Sequence, residues 1–203
     1  MNETSFKWDP ILSFWFGANP PCEQVSNDQM ERWFRKSSST DLQISDQFGE
    51  WVDLALSGSF SEWHDEARGS LAKLILLDQF TRNIFRDTPK AFAGDVQALS
   101  IASHMLETGQ TKELPPIMRV FCFLPFEHAE SPTHQETSVL NFTKLRNEVQ
   151  DVHKEVYENF LEYAIKHREV ITRFGRFPHR NGILGRVSTA EEKEFLKLPG
   201  SRF

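Results

Sequence analysis

An all-α chain of packed antiparallel hairpins, about eight to ten helices with no sheet, is the fold class this sequence predicts. Three observations predict it. Apolar residues recur three and four apart through most of the chain, strand-type alternation is missing, and helix-stop and helix-start signals separate the periodic stretches.

The elements follow in order. DPILSFWF reads as a short opening helix with Asp9 at its N-cap, Pro10 at the first helical position and Gly17 just past its end. The loop ANPPCEQVSND leads to a second apolar-aromatic piece, QMERWFR, and KSSST breaks the pattern before Asp41. From there Ile44, Phe48, Trp51 and Ala55 mark one inward face of a helix closed by Gly58. Ser70 to Arg86 is apolar on nearly every side at first and then abruptly polar, with Leu71, Leu74, Ile75, Asp78, Arg82 and Phe85 on one stripe. Asp78 and Arg82 are i,i+4 neighbours there, acid first, so a buried ion pair is expected.

Thr88-Pro89 reads as the start of a long helix with the face Phe92, Val96, Leu99, Ala102 and Leu106, ending at Gly109. Pro115 and Pro116 open the apolar helix IMRVFCFL, which Pro125 should stop or kink, leaving FEHAES as a turn. Ser131-Pro132 restarts the chain as a helix carrying Val139, Phe142 and Leu145. A last long helix, from about Asp151 to Phe174, lines up Phe160, Ala164, His167, Ile171 and Phe174. Gly175 caps it, RFPHRN forms the next turn, and Ser188 to Glu191 reads as a capping box for a short helix ending near Leu196.

The 203 residues suffice for one sizeable core, and one domain over 1–203 is expected. Phenylalanine (18) far outnumbers tyrosine (2), so most rings lack a polar handle and should serve packing, as should the tryptophans Trp8, Trp15, Trp33, Trp51 and Trp63. No apolar run approaches the ~20 residues a membrane helix needs, and MNETSFKWDP has no signal-peptide pattern. A soluble cytoplasmic protein without a membrane partner is expected. Cys22 and Cys122 lack any paired spacing and read as free thiols.

A net charge of −6 argues against a nucleic-acid partner, yet from Ile165 to Arg186 six basic residues face Glu169 alone. That basic island includes RFGRFPHRN, residues 173–181, where arginines, a histidine and large rings share one turn. Guanidinium groups so interleaved with apolar rings need an internal or bound anion. Asp78, Glu127 and Glu130, in LLDQFTRNIFR and LPFEHAE, are the expected partners.

The blocks ILSFWFG, LILLDQFTRNIFRDTPKAFAGD, FLPFEHAES and HREVITRFGRFPHRNGILGRVSTAEEKEFL together resemble a bacterial family termed domain of unknown function 924. The resemblance covers essentially the whole chain and implies a tetratricopeptide-like helical fold. It implies no activity, substrate or catalytic residue. Thr81 stands where proline is common and Ala129 where serine is common, and neither change touches a charged position.

Two readings of the charged blocks remain open. In the first, Asp78, Glu127 and Glu130 neutralise Arg82, Arg176 and Arg180 and stitch the C-terminal turn onto a helical binding or interaction module. In the second, Arg176 and Arg180 clamp an anionic small molecule or peptide, with Asp78, Arg82, Glu130 and His167 around it. Glu127, His128 or His179 then moves a proton, as in a hydrolase-like enzyme.

His167 alone reads first as a core histidine bonded to a carbonyl. A metal held by Glu127, His128 and Glu130 with His167 or His179 matches no established ligand spacing, and nearby arginines oppose a cation. No metal or cofactor is therefore expected. GxSxG, GxGxxG and GxxxxGK[ST] do not occur, and Cys122 lies in an apolar run that disfavours a thiolate. Phe174 and Phe177 could stack single-stranded nucleic acid, but the acidic remainder opposes it.

Overall fold

The computed structural model describes residues 7–17 and 23–202. Cys22 and most of MNETSFKWDP lie outside them. Among the described residues there are nine α-helices and no strand: α1 Asp9–Phe16, α2 Asn27–Phe34, α3 Ser38–Leu56, α4 over residues 67–84, α5 Asp95–Thr108, α6 Pro116–His128, α7 Pro132–Glu148, α8 Lys154–Phe174 and α9 Ala190–Phe195. Short 3₁₀ turns link them. Among the described residues no helix is long and apolar enough to cross a membrane.

Cross-helix contacts fix the hairpins. Arg119 meets Glu148 while Phe126 meets His134, so α6 and α7 run antiparallel. Arg146 meets Glu158 and Arg168 meets Glu136, which makes α7 and α8 antiparallel as well. Asp41 bonds Asn83 and Arg86 while Phe48 packs on Phe80, giving α3 and α4 the same relation. The arrangement fits the tetratricopeptide-like expectation.

One apolar cluster runs from Trp8 to Ala164 and buries the inward faces of α1 to α8. Its middle is aromatic: Trp15, Trp33, Phe80 and Phe121 meet mostly edge to face, and the Trp33 indole donates to the Trp15 carbonyl at 2.9 Å. A smaller cluster of Val170, Ile171 and Phe177, with Phe174 and Phe195 against it, seats the C-terminal segment on α8.

Four details depart from the sequence pattern. α3 begins at Ser38, because the Ser37 side chain accepts from the Thr40 amide and caps it early. α6 runs through Pro125 to His128. Phe121, Phe123, Leu124 and Phe126 are all buried around that proline, so packing outweighs the lost backbone bond. Glu127 and His128 therefore sit on a rigid last turn rather than in a loop. Gln135, fully buried on α7, closes that turn by donating to the carbonyls of Glu127 at 2.6 Å and Ala129 at 2.9 Å.

The third departure is in α5, which starts at Asp95 and buries Ala98, Ile101, Ala102 and Met105, leaving Val96 82% exposed. Gly94 sets this rotation. A Cβ there would stand 2.2 Å from the Leu77 carbonyl oxygen, so only glycine lets α5 dock this closely on α4. The last is the capping box of α9, which uses Thr189 and Glu192, one residue on from the expected pair.

Within α4 the residues Ile75–Phe80 form a π-turn between α-helical segments Ala67–Leu74 and Thr81–Ile84. A π-turn adds one residue and loosens the backbone ladder. Here the Thr81 hydroxyl donates to the Leu77 carbonyl at 2.7 Å and the Arg82 guanidinium to the Asp78 carbonyl at 2.6 Å. All six π-turn residues are buried, Asp78 among them.

Candidate functional site

Asp78, fully buried, organises the first half of the site. Its Oδ1 accepts from His128 Nδ1 at 2.8 Å, Oδ2 accepts from Gln79 Nε2 at 2.6 Å, and Arg82 Nη1 stands 3.2 Å away. Burial alone would raise this carboxyl, but Arg82 and His128 outweigh it and hold it well below the usual carboxylate range. An ionised Asp78 only accepts, so His128 must donate from Nδ1. Burial, with the charge of Arg82 added, lowers the His128 pKa and keeps the ring neutral despite Asp78. Nε2 then carries the lone pair, the arrangement of a general base.

Arg82 bridges to a second acid. Its Nη1 lies 3.0 Å from Asp95, the first residue of α5, which the Gly94 contact brings against α4. Arg82 Nη2 is buried with no hydrogen-bond partner among the described residues.

Beside this dyad lies a second carboxyl–imidazole pair. His167 Nδ1 is 2.8 Å from the Tyr163 carbonyl, to which it donates, and 3.1 Å from Glu127 Oε1. Burial, reinforced by the charge of Asp78, pushes the Glu127 carboxyl up to about 8, so it holds its proton at neutral pH. Glu127 Oε2 is buried without a hydrogen-bond partner among the described residues. The His128 and His167 rings are 6.3 Å apart. Burial also lowers the His167 pKa far below the ordinary histidine value, so that ring is neutral.

The turn after α8 completes the site. Arg180 is 7% exposed, and its guanidinium lies 4.8 Å from the Phe92 ring and 4.5 Å from Phe177. Among the described residues its ion contact is a single long one, 3.5 Å to Asp95, and its Nε has no hydrogen-bond partner. Desolvation and then Arg82 bring its pKa down to about 10, still charged at neutral pH. Burial and then Arg180 take His179 down to about 4. Arg82, Asp95 and His128 keep side-chain exposures of 20%, 23% and 16%, so solvent reaches this cluster from one side.

Arg176 and Glu130, expected in the same cluster, have other partners. Arg176 forms a two-pronged pair with Glu192 at 2.7 and 2.9 Å and donates to the Val187 carbonyl at 2.9 Å. The Arg176 bonds bring Glu192 down to about 2. Glu130 takes both prongs of Arg186, at 2.6 and 2.9 Å, and the Phe177 amide at 2.7 Å. The structure thus brings together Asp78, Arg82, Glu127, His128, His167, His179 and Arg180, and gives Arg176 and Glu130 to the frame that holds the turn. Asp95 and Glu192 escaped the sequence reading, and Arg186 entered it only as one charge of the basic island, not as the partner of Glu130. Asp95 had a usable signal, an acid directly after a glycine at a helix start. Among the described residues no group of three His, Cys, Asp or Glu side chains is disposed to hold a metal. Cys122 is buried inside α6, and desolvation pushes its thiol up to about 12.

Fold and site define a class: an all-helical protein in which four helices and a C-terminal turn gather arginines, carboxyls and imidazoles at the end of α6. The chain belongs to a family described as bacterial protein of unknown function (DUF924), whose model matches residues 11–200. It is similar to the solved structure of the protein of unknown function ATU0120 from Agrobacterium tumefaciens. The two share 34% sequence identity and a TM-score of 0.77, over 94% of this chain and 96% of that one. No curated protein matches the chain.

Proposed function

We propose that this cytoplasmic protein binds a small molecule carrying a carboxylate or phosphate between α4, α5 and the 177–181 turn, and that His128 accepts a proton from it. One observation carries the reading. Arg180 is buried between two rings and, among the described residues, has a single ion contact at 3.5 Å, a poor arrangement for a structural charge and a suitable one for a guanidinium awaiting an anion. The proton-accepting role rests on the 2.8 Å bond from His128 Nδ1 to Asp78, which directs the lone pair to Nε2. Glu127, protonated at neutral pH, is the candidate donor.

Thermal shift over phosphate, malate and citrate tests it. A binding anion raises the melting temperature, by the equivalent of about 2.7 kcal/mol at a concentration a hundred times its Kd. The shift should vanish in Arg180→Met and persist in Arg176→Met. Nitrogen NMR should find His128 protonated on Nδ1 and its Nε2 resonance moved by the anion. No shift with any anion, or an equal shift in Arg180→Met, would sink the proposal and leave the cluster a structural lattice.

A further inference from the structure

The end of α5, the 3₁₀ turn Gln110–Glu113, α6 and α7 line a cavity of about 250 Å³ that shares no residue with the site at the end of α6. Its walls follow from helical spacing. Arg119 and Phe123 stand one turn apart on α6, and Asn141, Leu145 and Glu148 follow at one-turn intervals on α7, so each helix gives the cavity one stripe. Gly109, left-handed at φ 83°, ends α5 and turns the chain into the remaining wall. Arg119 ties the walls together, because its Nε donates to the Leu114 carbonyl at 2.9 Å while Nη1 pairs with Glu148.

The floor is apolar and the rim is basic. Phe123 and Leu145 are buried, Leu106 is half-buried, and the Phe142 ring meets that of Phe123 edge to face at 5.7 Å and holds it in place. Lys112 and Lys144 line the same cavity from exposed positions. Among the described residues neither lysine has an ion pair, whereas the one acid on the wall, Glu148, is taken by Arg119. Unmatched cations beside an apolar floor select an amphiphilic anion.

Asn141 adds direction. It is 7% exposed, and its Nδ2 donates to the Thr137 carbonyl at 2.7 Å, which fixes the carboxamide and turns Oδ1 the other way. Among the described residues Oδ1 has no hydrogen-bond partner. A buried acceptor on the wall of a cavity calls for a donor.

The geometry points to a binding site for a small aromatic hydroxy-carboxylate. Its ring lies on Leu106, Phe123 and Leu145, its carboxylate meets Lys112 and Lys144, and its hydroxyl donates to Asn141 Oδ1. Size agrees, since a cavity of ~150 Å³ holds a benzene ring and this one has room for a short polar arm besides.

Calorimetric titration of the whole protein with 3-phenyllactate tests the assignment. Wild type should bind, and Arg180→Met should keep that binding because the cavity lies apart from the arginine cluster. Replacing both rim lysines, Lys112→Gln with Lys144→Gln, should raise Kd roughly tenfold, the combined loss of two exposed charge contacts. Leu106→Trp, which fills the cavity from a half-buried position, should abolish binding; if that variant misfolds, the lysine pair decides. 3-Phenylpropanoate, which lacks the hydroxyl, should bind wild type severalfold more weakly. Absence of binding to wild type, or an unchanged Kd in the double lysine variant, overturns the site. Binding lost in Arg180→Met and kept in the lysine variant assigns the acid to the arginine cluster instead. Equal affinity for the two acids strikes the hydroxyl, and with it the role of Asn141, from the assigned class.

Discussion

Arg176 and Arg180 stand one helical turn apart in sequence and in opposite physical circumstances. Arg176 has two carboxylate prongs and a carbonyl, all within 2.9 Å, at a partly exposed position. Arg180 is buried, sandwiched by rings, and has one acid at 3.5 Å. The same split separates the acids. Glu130 and Glu192 are saturated with donors, whereas Glu127 keeps its proton and an unbonded oxygen. A frame of complete pairs therefore holds a cluster of incomplete ones, and completeness marks which charges serve the fold.

Asp78→Asn should break the comparison most severely. It leaves Arg82 half paired and His128 without its anchor, an expected loss of about 3–5 kcal/mol for breaking a buried pair, read by urea unfolding. Glu127 sharpens the contrast through pH. Unfolded, it loses its proton near ~4.3; folded, at about 8, so between these values the folded state binds the extra proton and stability falls as pH rises.

The depressed His128, His167 and His179 act with the opposite sign, but only below their unfolded value of ~6.5. Between about pH 6.5 and 8 the Glu127 slope stands alone among these four, at most ~1.4 kcal/mol per unit. Glu127→Gln should flatten the melting temperature across that window. Arg176→Met should loosen the C-terminal segment, seen as faster amide exchange in α9 with the core unchanged. The smallest effect is expected from Arg180→Met, within about 1 kcal/mol of the wild type, because an apolar side chain between Phe92 and Phe177 replaces a poorly paired charge.

Helix number, the hairpin order and the inward stripe of α8 were legible because each rests on local periodicity. The Asp78–Arg82 pair was legible for the same reason, being one turn of a helix. Which acid each distant arginine takes was not. Glu192 wins Arg176 because the Thr189 capping box and the Asn181 amide already fix its carboxylate beside the turn. Composition cannot reveal that geometry. α5 was misread because its rotation is set by the tight passage of Gly94 under Leu77, a contact between segments with no periodic signature.

The π-turn of α4 makes the site depend on chain count as well as residue type. Were residues 75–80 wound as ordinary helix instead, the surplus residue would swing everything beyond them by about 100°. Arg82 would then point away from Asp95, and the Asp41 pairing of Asn83 and Arg86 would be lost with it. One surplus residue thus keeps a packing surface and a chemical surface in phase on the same rod.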